Sequence, residues 1–189
     1  MIYSSNFIAV LDACVLYPAP VRDLLLSLAD VGLYKPKWTA EIQEEWSRNL
    51  LLNRADLKKE QLEATKHAMN MAFPDANVER YEGLISGITL PDPHDRHVVA
   101  AAIRSKADVI VTFNLKDFPK AIEAEFDIEI LHPDVFLTNL HDLHPEKSKE
   151  AFGKMVQRLV NPRKSQEAVL DTLSKSGLKE MVTKLKGQR

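Results

Sequence analysis

Phe7-Ile8-Ala9-Val10-Leu11-Asp12-Ala13-Cys14-Val15-Leu16-Tyr17-Pro18 is an apolar run of five residues that ends in one carboxylate, turns apolar again and stops at a proline. A run that short and that apolar predicts a strand buried on both faces of a parallel sheet. Asp12 then stands at the carboxyl end of the strand, where open α/β sheets place their ligand sites. An aspartate among Leu11, Ala13 and Val15 is costly to bury unless its charge is compensated. A turn or N-cap role for the next helix is the preferred account of an isolated aspartate. The discriminating feature is whether other carboxylates reach equivalent places.

Two further stretches supply them. Thr39 predicts the N-cap of a helix from Ala40 to about Leu52, with Glu41 near its positive end. At about 100° per residue, Ile42, Trp46, Asn49 and Leu50 share one face, and Glu45 lies at its edge, about 60° from Ile42. Glu41 and Glu44 point further toward solvent. In residues 90–103 (LPDPHDRHVVAAAI), Asp92 as N-cap, Pro93 at N1 and Asp95 at N3 predict a helix start. Capping suffices for Asp92 but not for Asp95. Taking Asp95 as zero, Val98, Val99, Ala102 and Ile103 fall at about −60°, +40°, −20° and +80°, so the carboxylate lies on the apolar face. His94 and His97 are expected on the outer side of that helix.

The rest of the chain frames these residues. Residues 21–31 predict a helix ended by Gly32, residues 33–36 a short extended piece, and residues 53–72 a charged amphipathic helix with Leu57, Leu62 and Met69 inward. Residues 77–90 are ambiguous between helix and irregular structure. Residues 107–112 and 127–131 predict two more buried strands, with Thr112, Asn114 and Asp117 at and beyond the end of the first. Strands alternating with helices imply an α/β fold with a parallel sheet covered on both faces. Helices follow over residues 145–160 and 165–176, with a last one through Met181 and Leu185. We expect one α/β domain over residues 1–138 and a basic helical extension over 139–189.

Composition narrows the class. The 189 residues are 45% hydrophobic and 28% charged, and no apolar run approaches the length of a membrane span. Ser4, Ser5 and Asn6 interrupt the N-terminal stretch, so no signal peptide is expected. The single cysteine, Cys14, excludes an internal disulfide, agrees with a cytoplasmic location and is expected to pack in the core. Residues 1–140 carry 14 basic against 21 acidic side chains, whereas residues 141–189 carry 11 against 6. That asymmetry suits a tail that meets nucleic acid or an acidic partner; a solvated helical face gives the same numbers. Three carboxylates at one crevice require protons or a cation, and all-oxygen donors suit Mg²⁺ or Mn²⁺. There is no GxGxxG, Gly-rich phosphate loop or HExxH.

"VLDACVLYP", "EIQEEW" and "LPDPHDRHVVAAAIRSKADVIVTFNLKDFP" resemble PIN-domain proteins, most closely the bacterial VapC-like toxin ribonucleases, over about residues 7–137. The resemblance implies a three-layer α/β/α fold with a mostly parallel sheet and, here, a small C-terminal helical extension. It implies a Mg²⁺- or Mn²⁺-dependent endoribonuclease leaving 5′-phosphate and 3′-hydroxyl ends, and restraint by a cognate antitoxin; it admits a homodimer. Asp12, Glu45 and Asp95 match the first three acidic positions of the site. Asn114 stands where the family often has a fourth aspartate, with Asp117 three residues on as a substitute, and Thr112 is expected to support the site or touch phosphate. Lys147, Lys149, Lys154, Arg158, Arg163 and Lys164 are candidates for RNA or partner contact. Two other readings compete. One is a non-catalytic PIN-like binding module signalled by Asn114. The other is a receiver-like phosphoacceptor at Asp12, which lacks the further acidic pair it needs near the first strand.

Overall fold

A computed structural model describes residues 7–160 and 162–187. Residues 1–6, which bear on the expected lack of a leader, lie outside the described residues. Four strands form one all-parallel sheet in the order β2-β1-β3-β4: β1 Ile8–Leu11, β2 Lys35–Lys37, β3 Val109–Val111 and β4 Glu129–Leu131. The apolar run becomes β1 beside β3, with Ala9, Val10 and Leu11 fully buried. Lys35–Lys37 is a strand as well as an extended piece. It is legible only weakly because it is three residues with a proline, which an edge strand tolerates.

Register carries the functional consequence. Leu11 pairs with Val111, and the Asp12 N–H donates to the Val111 carbonyl at 3.1 Å. Asp12 and Thr112 therefore emerge side by side, one residue past the paired segment. The chain leaves β1 toward β2, then returns across β1 to reach β3. With right-handed crossovers, that reversal puts α2 (Ala19–Asp30) on one face and α5 (Arg96–Ser105) and α6 (Lys120–Phe126) on the other. The crevice at the reversal is where doubly wound sheets bind ligands.

The helices follow the sequence with three corrections. α3 spans Ala40–Asn53, with Thr39 Oγ1 accepting from the Ile42 N–H at 3.0 Å, as expected. The charged helix expected over residues 53–72 is confined to α4, Lys59–Ala72. Arg54 and Asp56 pair with each other instead, and Gln61 Oε1 accepts the Lys58 N–H at 2.9 Å to start the helix late. The ambiguous stretch contains a 3₁₀ helix, Glu82–Gly87. Asp92 does cap, through the His94 N–H at 2.8 Å, but what it caps is a 3₁₀ turn, Pro93–Asp95; α5 starts at Arg96 with Asp95 in the N-cap position. The third correction concerns His97, which is 5% exposed. It was expected on an outer side, and α5 has none there: residues 97–102 are buried without a break, because α5 packs on β1 and β3 and against the 3₁₀ helix.

α7 (Pro133–Leu143) runs through the expected division at residues 138 and 139, and His141 is buried within it. α8 (Pro145–Arg158), α9 (Gln166–Lys175) and α10 (Lys179–Leu185) follow. α8 packs on α2 and α7, and α10 on α7 and α9. Phe152, Met155, Leu173 and Met181 belong to the same buried cluster as the sheet residues. None of the described helices is long and apolar enough to cross a membrane.

One side chain ties the last helix down. Asp134, buried in the first turn of α7, accepts the Glu180 N–H through Oδ2 and the Met181 N–H through Oδ1, both at 2.9 Å. It acts as the N-cap of α10 from another helix. Removing it takes the acceptor from two amides in the first turn of α10. Asp134→Ala should lower unfolding stability by about 1–3 kcal/mol. Amides of Lys179–Leu185 should lose hydrogen-exchange protection first; an unchanged denaturation midpoint with unchanged exchange would contradict the cap.

Candidate active site

Asp12 sits at the N-cap position of α1 (Ala13–Leu16) with extended backbone, yet its side chain makes no capping hydrogen bond. The turn-residue role is thus not what holds this carboxylate. It is 5% exposed, and Oδ2 accepts from Thr112 Oγ1 at 2.7 Å and from Cys14 Sγ at 3.0 Å. Thr112 is itself fully buried and takes the Asn114 N–H at 2.9 Å; the Phe113 N–H donates to Cys14 Sγ at 3.2 Å. Cys14, expected as a core filler, is half-buried and part of this network. Burial, then the neighbouring Asp12, pushes its thiol well above the ordinary range, which favours the protonated form that donates to Asp12. Asp12 is pushed up as well, chiefly by burial and further by Glu45, against the lowering pull of Cys14 and Thr112.

Asp95 faces the same crevice from the start of α5. Burial raises its carboxyl to about 6, helped by Asp12, Asp92, Asp117 and Glu45 in that order. Its Oδ2 is buried without a hydrogen-bond partner. Carboxylates from four parts of the chain therefore act on one another here, and Asp92, read from sequence as a cap alone, adds to the field. Glu45 stands at the rim with its side chain 35% exposed, against 56% for Glu41 and 61% for Glu44, which agrees with the helical-wheel placement. Asp117 ends the 3₁₀ turn Leu115–Asp117; the Asn114 side chain is exposed and does not cap that turn. Among the described residues, no three His, Cys, Asp or Glu side chains already converge as a cation cage.

His97 was not singled out by the sequence. It approaches Glu45 and Glu41, with Nε2 3.6 Å from one carboxylate and Nδ1 3.8 Å from the other. The signal that would have found it is Val98-Val99-Ala100-Ala101-Ala102, apolar right round the helix, which predicts a segment covered on every side. The basic candidates behave differently. Lys149 and Lys154 pair with Glu146 and Glu150 on their own helix, and Arg158 donates to Ser27 Oγ on α2 at 3.3 Å. Lys147, Arg163 and Lys164 are exposed. The extension does touch the site loop: Gly177, at φ +94°, lies where a Cβ would be 3.4 Å from Phe113 Cε1, and Phe113 packs edge-on to His132.

Residues 9–116 match the family described as PIN domain. The chain belongs to the PIN-domain family. That match contains Asp12, Glu45, Asp95, Thr112 and Asn114, and ends one residue short of Asp117. Residues 133–187 match a second family, described as VapC50 C-terminal domain. A Mycobacterium tuberculosis protein named "Putative ribonuclease VapC50" is 44% identical over 79 residues, 42% of this chain and 47% of that protein. The matched part thus spans about half the length of that relative. No solved structure matches the chain.

The raised Asp95 gives a stability test with a definite sign. Its carboxyl binds a proton more tightly folded, at about 6, than at its ordinary 3.8. Between those values the folded state holds more protons, so rising pH costs stability across the window. In chelator, Asp95→Asn should therefore raise the unfolding midpoint at pH 7–8, and the gain should shrink as pH falls through 6 toward 4. A variant no more stable than wild type at pH 8 would contradict the shared field.

Proposed function

We propose that this chain is a Mg²⁺- or Mn²⁺-dependent endoribonuclease of the VapC-like type, the toxin of a toxin–antitoxin pair acting on cytoplasmic RNA. One observation carries the reading. A carboxylate buried at a strand end, Asp12, is held by Thr112 and Cys14 and not by a helix cap, and with Glu45, Asp92 and Asp117 it acts on the half-buried Asp95 across the crevice. The family and the ribonuclease name borne by the relative support it.

The donors fit a hard divalent cation. Asp95 Oδ2 is buried and unpartnered, and Asp12 and Asp95 are pushed toward their neutral forms by burial first and by neighbouring carboxylates second, which a cation would relieve. Mg²⁺ keeps several waters and takes one or two carboxylates, so an open arrangement suits it better than a closed cage. Asp12 and Asp95 would hold the ion, with Glu45 at the rim; Asn114 adds no charge, and Asp117 supplies a carboxylate in its place. Such an ion lowers the pKa of water and stabilises charge on a phosphoryl group. The chain's own part is to orient: Thr112 Oγ1 fixes the Asp12 carboxylate and holds the Asn114 amide, so that loop and strand end keep one geometry. Lys147, Arg163 and Lys164 remain candidates for backbone contact, within an extension we assign to residues 139–189.

The non-catalytic reading also has an observation in its favour, since Asn114 replaces an acid and no three ligands converge among the described residues. Purified protein with Mn²⁺ or Mg²⁺ on RNA separates the two. Wild type should cleave, with Asp12→Asn and Asp95→Asn each slower by about 100-fold or more. Equal cleavage by all three, or none across varied metals and RNAs, would sink the nuclease assignment. For the toxin role, overexpression without an antitoxin should arrest growth and Asp12→Asn should not.

A further inference from the structure

His97 is a buried titratable side chain beside the crevice that this mechanism leaves unused. It follows Asp95 by two residues on α5 and reaches across to α3, where Glu41 and Glu45 lie one turn apart. At that spacing two glutamates share a face and repel each other, and both have the length to swing toward the crevice. The His97 ring stands between them, with Nε2 toward Glu45 and Nδ1 toward Glu41. Nδ1 is buried without a hydrogen-bond partner, so the ring is not a core histidine satisfied by backbone. Glu41 is already engaged on its far side, accepting from Tyr81 Oη at 3.0 Å.

We propose that His97 is a positioning residue that sorts the two glutamates, holding Glu45 toward the carboxylate crevice and leaving Glu41 to Tyr81. The proposal rests on the cation reading of the site. Contacts of 3.6–3.8 Å put both carboxylates within ion-pair reach of the ring. The ring thereby gives the site helix α5 a second link to the cation besides Asp95, through a side chain of α3.

Calorimetric titration of the full chain with Mn²⁺ tests this without recourse to cleavage. The amide of a glutamine reaches the place of Nε2, and that of an asparagine the place of Nδ1. His97→Gln should keep wild-type affinity, whereas His97→Asn and His97→Leu should weaken it about 10-fold or more, as loss of a ligand's supporting partner does. In a Glu45→Gln background, His97→Leu should add nothing. Equal affinity for the glutamine and asparagine variants, or a His97→Leu effect undiminished beside Glu45→Gln, would reduce His97 to packing and overturn the proposal. Should His97→Leu fail to fold, the glutamates decide: Glu45→Gln must weaken Mn²⁺ binding and Glu41→Gln must not. Wild type that binds no Mn²⁺ removes the cation reading and this proposal together. Wild type that binds, with all His97 variants alike, removes only the latter.

Discussion

Burial of the Asp12 carboxylate is the constraint around which the crevice is built. Charge taken out of water at a strand end must be met by donors, protons or cations. Thr112 and Cys14 meet it partly, with two hydrogen bonds to one oxygen. Both arrive because β1 and β3 pair in a register that ends at Leu11 and Val111. A slip of one residue would turn Asp12 to the opposite face and leave Thr112 without an acceptor. The parallel pairing thus fixes the chemistry of the site as well as the sheet.

Asp95 and Glu45 make the incomplete compensation useful. Their carboxylates add to the field on Asp12, and desolvation raises both aspartates. Unfavourable interactions of this kind persist where a ligand repays them, as functional sites tend to hold what folding alone would not select. The C-terminal helices bear on the same place at longer range. α10 is capped by Asp134 at the start of α7, and the turn before it rests on Phe113, between Thr112 and Asn114. The extension shares the core of the sheet and backs the loop that holds Asp12.

Much of this was legible in the sequence, for physical reasons. Asp12 showed because an apolar run closed by a carboxylate has few innocent explanations, and the Glu45 placement held because it follows Ile42 by three residues, about one turn, on a regular helix. The α5 start was harder. Reading Asp92 as the cap of an α-helix with Asp95 at N3 assumed regular α geometry from the start, whereas a 3₁₀ turn occupies Pro93–Asp95. His97 was missed since an outer side was assumed for a helix that is enclosed. Lys35–Lys37 was faint because a proline-centred edge strand carries little apolar signal. The break at Arg54 was invisible because a local ion pair and a glutamine cap decided it, and the surrounding composition suits a helix.

A double-mutant cycle in unfolding, Asp12→Asn against Asp95→Asn, run in chelator and again with Mn²⁺, tests the shared field most directly. In chelator each substitution should stabilise, and the pair should stabilise by less than their sum, since either one relieves the same repulsion. With Mn²⁺ each should destabilise relative to wild type, again by less than additively when combined, so the coupling changes sign. Additive effects within about 0.5 kcal/mol in both conditions would contradict the account, because that is how independent sites behave.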